Sequence, residues 1–440
     1  MQSGTSAFKC SRKAAALLLL CLGPLSFAGA SEDALTLADV SPLPSARVWF
    51  PSDEHPAIDY AGRRSDDAMA LLMRRIAESK TSLHRDDASG YLTSLLAALK
   101  VSQDSQMLVF SKTSLQRQFI SPQTPRAIFF SDEVVVAHTR GAPLIEVAAQ
   151  DPRLGMVYYV VDQNAAGPDT IRRETACLRC HASLASVGVP GYLIRSVGVR
   201  ANGAAAQQVA NFNTDHRSPM AERWGGWFVD GIAGAKHMGN LMLAEKGADD
   251  SVFVPVTKPS TLIGYPSPHS DAAALLVFNH QMHLMNLLIR IGWDARIADF
   301  QEKTKATTPD VTAALLASDA REIADYMLFV DEAPLTGQVA ESAFAKSFSA
   351  SALRDGQGRS LRDLDLRTRL LRYPCSYLMY SRAFEALPAP ARAAIYSRIA
   401  EILTGKDRDA RYAKLTPVIR GDISAILRST KPEIGAYLSQ

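Results

Sequence analysis

The stretch from Ala272 to Asp294 constrains this chain more than any other. It is too long for a strand and has no proline. Leu275, Leu276, Val277, Phe278, Leu284, Leu287, Leu288, Ile289 and Ile291 cover almost the whole circumference of a 3.6-residue repeat. A helix that is apolar nearly all round has to be enclosed by other elements. Asn279, His283, Asn286 and Arg290 break the pattern at spacings of four, three and four residues, so they form one polar stripe, with His280 at its edge. Buried polar groups need hydrogen-bond partners. The rest of the chain must therefore both wrap this helix and meet its stripe.

The segments that could do so fall into two kinds. Between Ser65 and Lys100 the apolar spacing of Leu71, Leu72 and Ile76, then Leu92, Leu95, Leu96 and Leu99, predicts two helices. A strand-rich stretch follows: Met107 to Phe110, then Arg126 to Phe130 with Val134 to His138 around Ser131-Asp132-Glu133, then Leu144 to Ala149 with Met156 to Asp162. Tyr192 to Arg200 and Gln207 to Phe212 flank Asn202-Gly203, a strong hairpin signal. From Asp271 onward the pattern is helical, with breaks at Pro374, Pro388 and Pro417. The expected class is α+β: an antiparallel, hairpin-rich sheet unit followed by a mainly helical unit. Three segments are expected, a leader over 1–30, a mixed helix and sheet unit over 31–265, and a helical unit over 266–440.

The leader has the three parts of a secretory signal. Lys9, Arg12 and Lys13 form a positive start, Ala14 to Leu22 is a short apolar core, and Ala28-Gly29-Ala30 offers small residues for cleavage before Ser31. The expectation is export to the periplasm, with no transmembrane segment in the mature chain. Removing three basic residues from 48 leaves 45 against 45 acidic ones, so the basic excess belongs to the leader and nucleic-acid binding is excluded. Cys10 and Cys21 leave with it, and Cys177, Cys180 and Cys375 remain, too few for a disulfide framework.

Two of those three cysteines share a motif. Cys177-Leu178-Arg179-Cys180-His181 is the C-x-x-C-H pattern of covalent haem attachment. Each thiol adds to one haem vinyl group, forming a thioether. On a helical turn, residues i, i+3 and i+4 share one face. The turn that holds both thioethers therefore aims His181 at the iron as proximal ligand. A thioredoxin-like dithiol would sit at a strand-to-helix junction, and Arg172-Arg173-Glu174-Thr175 precedes this motif. Zinc would need a fourth ligand and a second cysteine pair.

Here the chain resembles c-type cytochromes. Thr214-Asp215-His216-Arg217-Ser218-Pro219, Glu222-Arg223-Trp224-Gly225-Gly226-Trp227 and Arg372-Tyr373-Pro374-Cys375-Ser376-Tyr377-Leu378 are similar to segments of exported, single-haem bacterial proteins. The resemblance implies one covalent haem c and haem chemistry, and names no reaction. The chain is much longer than a minimal c-type cytochrome and lacks an obvious distal-methionine loop.

The sixth iron position separates electron transfer from catalysis or ligand binding. The polar stripe is the first place to look for it, with His280 and His283 as distal candidates and Arg290 as partner for a haem propionate. His216 beside Arg217 is a third candidate, against an Asp215-His216 turn with Arg217 in a surface salt bridge. Met282 and Met285 read as core, Cys375 as a buried thiol, and Trp224 with Trp227 as either core or haem neighbours. Three functions stay open. One is electron transfer, as partner or oxidoreductase subunit with a periplasmic redox partner protein. The others are a peroxidase-like haem enzyme and a haem-based sensor or ligand-binding protein.

Overall fold

The computed structural model describes residues 52–165, 167, 170–244, 252–260 and 262–439. The leader, its cleavage site and the prolines up to Pro51 lie outside the described residues. The helices are α1 (Ala68–Ala77), α2 (Leu92–Ala98), the single turn α3 (Leu178–His181), α4 (Ala272–Lys303), α5 (Pro309–Met327) and α6 (Ala343–Ala350). The set closes with α7 (Arg382–Glu385), α8 (Ala389–Leu403), α9 (Pro417–Thr430) and α10 (Pro432–Leu438). With the sheet below, this is the expected α+β class.

The helix α4 is central and longer than expected. The Asp271 carboxylate caps it by accepting from the Ala274 N–H at 2.8 Å. It continues past Asp294 because residues 295–303 hold neither glycine nor proline, and it ends where Lys305 turns left-handed at φ 57°. Every residue from Ala272 to Ala295 except His283 and Arg290 is buried. By length and composition α4 matches a membrane span, but 94% of its most apolar window is buried inside the protein.

The sheet has seven antiparallel strands. In chain order they are β1 (Met107–Val109), β2 (Arg126–Phe130), β3 (Val134–Thr139), β4 (Leu144–Asp151), β5 (Gly155–Asp162) and β6 (Ile171–Arg173). The pair β7 (Arg195–Val197) and β8 (Asn211–Asn213) forms a separate two-stranded ladder, and β9 (Trp227–Phe228) closes the main sheet beyond β1. The spatial order is β6-β5-β4-β3-β2-β1-β9. From β1 to β6 each strand pairs with the next in the chain, tight turns at 131–133 and 152–154 joining β2 to β3 and β4 to β5, whereas β9 reaches β1 from much later in the chain.

Side chains alternate between the faces. Tyr159 points to the α1 side, where its hydroxyl donates to Asp67 Oδ2 at 2.6 Å. Phe130 points the other way, its ring 5.0 Å from that of Phe278 on α4. By the cross-strand register, Arg126, Glu146 and Tyr158 lie on this α4 side. The described residues belong to one compact unit, so the change of secondary structure near 266 falls inside it. The Asn202-Gly203 hairpin is shorter than expected: β7 and β8 pair only from Arg195↔Asn213 to Val197↔Asn211.

Candidate haem-attachment site

The motif sits where the chain leaves the sheet. After β6, the Glu174 carboxylate accepts from the Ala176 N–H at 3.0 Å and caps a 3-10 turn over Thr175–Cys177, which runs into α3. Cys177 and Cys180 are free thiols, Cys177 half-buried and Cys180 exposed. The next residues fold back. Val187 and Gly188 are left-handed, at φ 52° and 76°, and the Gly191 N–H donates to the His181 carbonyl at 2.9 Å.

This return brings the Gly191 carbonyl 2.9 Å from His181 Nδ1. A carbonyl only accepts, so Nδ1 carries the proton and Nε2 keeps its lone pair. Among the described residues nothing hydrogen-bonds to Nε2. Burial lowers the imidazole's pKa, so the ring is neutral at neutral pH. The same carbonyl accepts from the Tyr158 hydroxyl at 2.6 Å, and the Tyr158 ring lies 5.2 Å from the imidazole. Tyr192, next in the chain, is held from α4: Asn286 Oδ1 accepts from its N–H at 2.8 Å, and Asn286 Nδ2 donates to its carbonyl at 2.8 Å.

Burial, with Glu146 and Glu174 nearby, pushes the Cys177 thiol up to about 11, so it is protonated at neutral pH. A reactive dithiol needs the opposite, an electropositive setting that stabilises thiolate. Among the described residues, no three His, Cys, Asp or Glu side chains are grouped to hold a metal ion. A haem iron differs, because the porphyrin supplies four ligands and one histidine completes the proximal side.

Leu184, three residues past His181, is 77% exposed, and Leu115 is 55% exposed. Leu115 adjoins Ser114, whose hydroxyl donates to Glu146. Glu146 pairs with Arg126 at 2.5 Å, and both act electrostatically on Cys177 and His181. Arg126 Nε is buried without a partner, a donor suited to an anionic edge.

The other candidates lie on α4 or pack against it, each with protein partners. His280 has no nitrogen left for iron: Nδ1 lies 2.8 Å from His216 Nδ1, and Nε2 lies 2.8 Å from Ser376 Oγ. The two imidazoles share one proton and stack with Tyr326 and Phe329. Arg290 donates from Nε to Asp294 at 2.6 Å, one helical turn along. His283 Nε2 accepts from Arg217 Nη2 at 3.1 Å, and Arg217 grips Asp215 with bonds to both carboxylate oxygens. The Asp215-His216 turn is thus present, with the part-exposed Arg217 side chain paired to Asp215 and His216 itself buried. Among these candidates His216 keeps a buried nitrogen, Nε2, without a partner among the described residues. It lines a polar cleft of about 470 Å³ with Arg217, Tyr326 and residues of the helical part.

Asn279 accepts from Trp224 Nε1 at 2.9 Å and donates to Thr214, making Trp224 a core residue. Trp227 is also buried, donating to the Arg195 carbonyl. Cys375 is fully buried and its thiol is pushed up to about 12. Sequence reasoning missed Gly191, Tyr158, Arg126 and Glu146. Only Asn286 carried a signal, as a member of the polar stripe. Comparison of the chain with models of known protein families, with curated proteins and with solved structures finds no match.

Proposed function

We propose that this chain is an exported, periplasmic haem c protein, with the haem held through Cys177, Cys180 and His181 and used in electron transfer. The observation that carries the reading is the state of His181. It is neutral, its Nδ1 proton is fixed on the Gly191 carbonyl, and its Nε2 is free of protein partners. That arrangement is characteristic of ligating histidines, whose second nitrogen is held by a carbonyl or carboxylate. When bound, the haem supplies one-electron redox chemistry. Electron transfer is favoured over buried catalysis because Cys180 and Leu184 are exposed, so the attached edge lies where a partner protein approaches.

The test is coexpression with haem-attachment machinery, followed by haem staining after denaturing electrophoresis. The wild type retains stain, and the Cys177→Ala/Cys180→Ala double variant loses it. A wild type without covalent haem overturns the proposal. A reduced spectrum that changes on adding carbon monoxide would replace electron transfer with an open sixth position, the mark of a haem enzyme or sensor.

A further inference from the structure

The geometry points to Asn286 as a positioning residue for His181, an inference that rests on the haem reading above. The connection has two links. First, Asn286 is 1% exposed and its amide bonds both backbone groups of Tyr192, as a neighbouring strand would. Second, Tyr192 adjoins Gly191, whose carbonyl holds the Nδ1 proton of His181. The contact is close: a Cβ built at Gly191 would lie 2.3 Å from Asn286 Oδ1. The imidazole is thereby oriented from a core helix, although its own turn lies at the surface.

The carbonyl is shared. Tyr158, reaching in from β5, is a second donor to it at 2.6 Å. Two donors on one carbonyl compete for its electron density, so each weakens the other. A ligand imidazole becomes more electron-rich as its Nδ1–H bond strengthens, and an electron-rich ligand stabilises Fe(III) over Fe(II). Asn286 and Tyr158 therefore act on the iron in opposite directions. Loosening the loop by removing the Asn286 amide weakens the His181 bond. Removing the Tyr158 hydroxyl strengthens it.

The experiment uses the full-length, haem-loaded protein as wild type, Asn286→Leu and Tyr158→Phe. Three readouts are taken: covalent haem stain, midpoint potential with the reduced absorption bands, and thermal midpoint. All three proteins are expected to keep the stain. Asn286→Leu is expected to shift the Fe(III)/Fe(II) equilibrium about three- to tenfold toward Fe(II), tenfold being about 59 mV for one electron. Tyr158→Phe is expected to shift it toward Fe(III). A merely structural role lowers the thermal midpoint and leaves both potentials at the wild-type value, and that result overturns the inference. If Asn286→Leu does not fold, Tyr158→Phe decides alone: an unchanged potential refutes the shared carbonyl. Loss of stain from the wild type would instead refute the haem reading.

Discussion

Replacing Gly191 by alanine tests how tightly the loop after the haem motif is held. The added Cβ would lie 2.3 Å from Asn286 Oδ1 and 2.8 Å from its Cγ, closer than real Cβ contacts come. The amide cannot swing aside freely, because both its ends are bonded to Tyr192 in a buried site. Overpacking of this kind costs about 1–3 kcal/mol. Loss of one of the two amide bonds adds about 1 kcal/mol. The expected loss is about 2–4 kcal/mol in the free energy of unfolding, read by urea denaturation followed by far-ultraviolet circular dichroism. Gly356→Ala is the control: nothing lies within 4 Å of a Cβ there, and a change within about 0.5 kcal/mol is expected. In an Asn286→Ala background the clash partner is gone, so Gly191→Ala should cost at least about 1 kcal/mol less than in the wild type. The same cost in both backgrounds, or no cost in the wild type, would refute the contact.

Two further outcomes are expected. Asp67→Ala removes the cap that accepts from the Met69 and Ala70 N–H groups and leaves Tyr159 with only Ser65 as hydroxyl partner. About 2–3 kcal/mol of stability should be lost in thermal or urea unfolding, and a loss under 0.5 kcal/mol would contradict the capping role. His138 is buried with Nδ1 unpartnered, and burial lowers its pKa from 6.5 to about 4. The unfolded chain therefore binds a proton between about pH 6.5 and 4 that the folded chain does not, and stability falls as pH drops through that window. His138→Phe keeps an aromatic ring beside Tyr265 and should remove about 2 kcal/mol of the loss between pH 7 and pH 5; an unchanged pH dependence would show that His138 does not contribute.

The hairpins were legible because their signals are local. Short apolar runs bounded by turn residues at 131–133 and 152–154 decide pairing between neighbours in the chain. The burial of α4 was legible because a helix apolar nearly all round has to be enclosed. Its end was not: Ala295 to Lys303 is ordinary amphipathic helix, and the fading of apolar residues at Asp294 marks the edge of the core instead of the end of the helix. The polar stripe was correctly read as needing partners, but a one-dimensional pattern does not say which. Asn279 found Trp224 and Thr214, His283 found Arg217, and Asn286 found Tyr192, each across more than 50 residues of chain. Nothing local distinguishes those backbone and side-chain partners from a cofactor edge. The role of Gly191 was invisible for the same reason, since it depends on a helix far downstream.

That distance orders events in time. Tyr192 and Asn286 are 94 residues apart, and the loop that orients His181 cannot close until α4 exists to hold it. A chain emerging from its N-terminus at about 5–20 residues per second shows the Cys-Leu-Arg-Cys-His turn roughly 5–20 s before Asn286 appears. During that interval the thiols and the imidazole belong to an open peptide with both cysteines accessible. Any enzyme that attaches a group to this motif thus meets it first as a flexible strand, and the later arrival of α4 locks in whatever was attached.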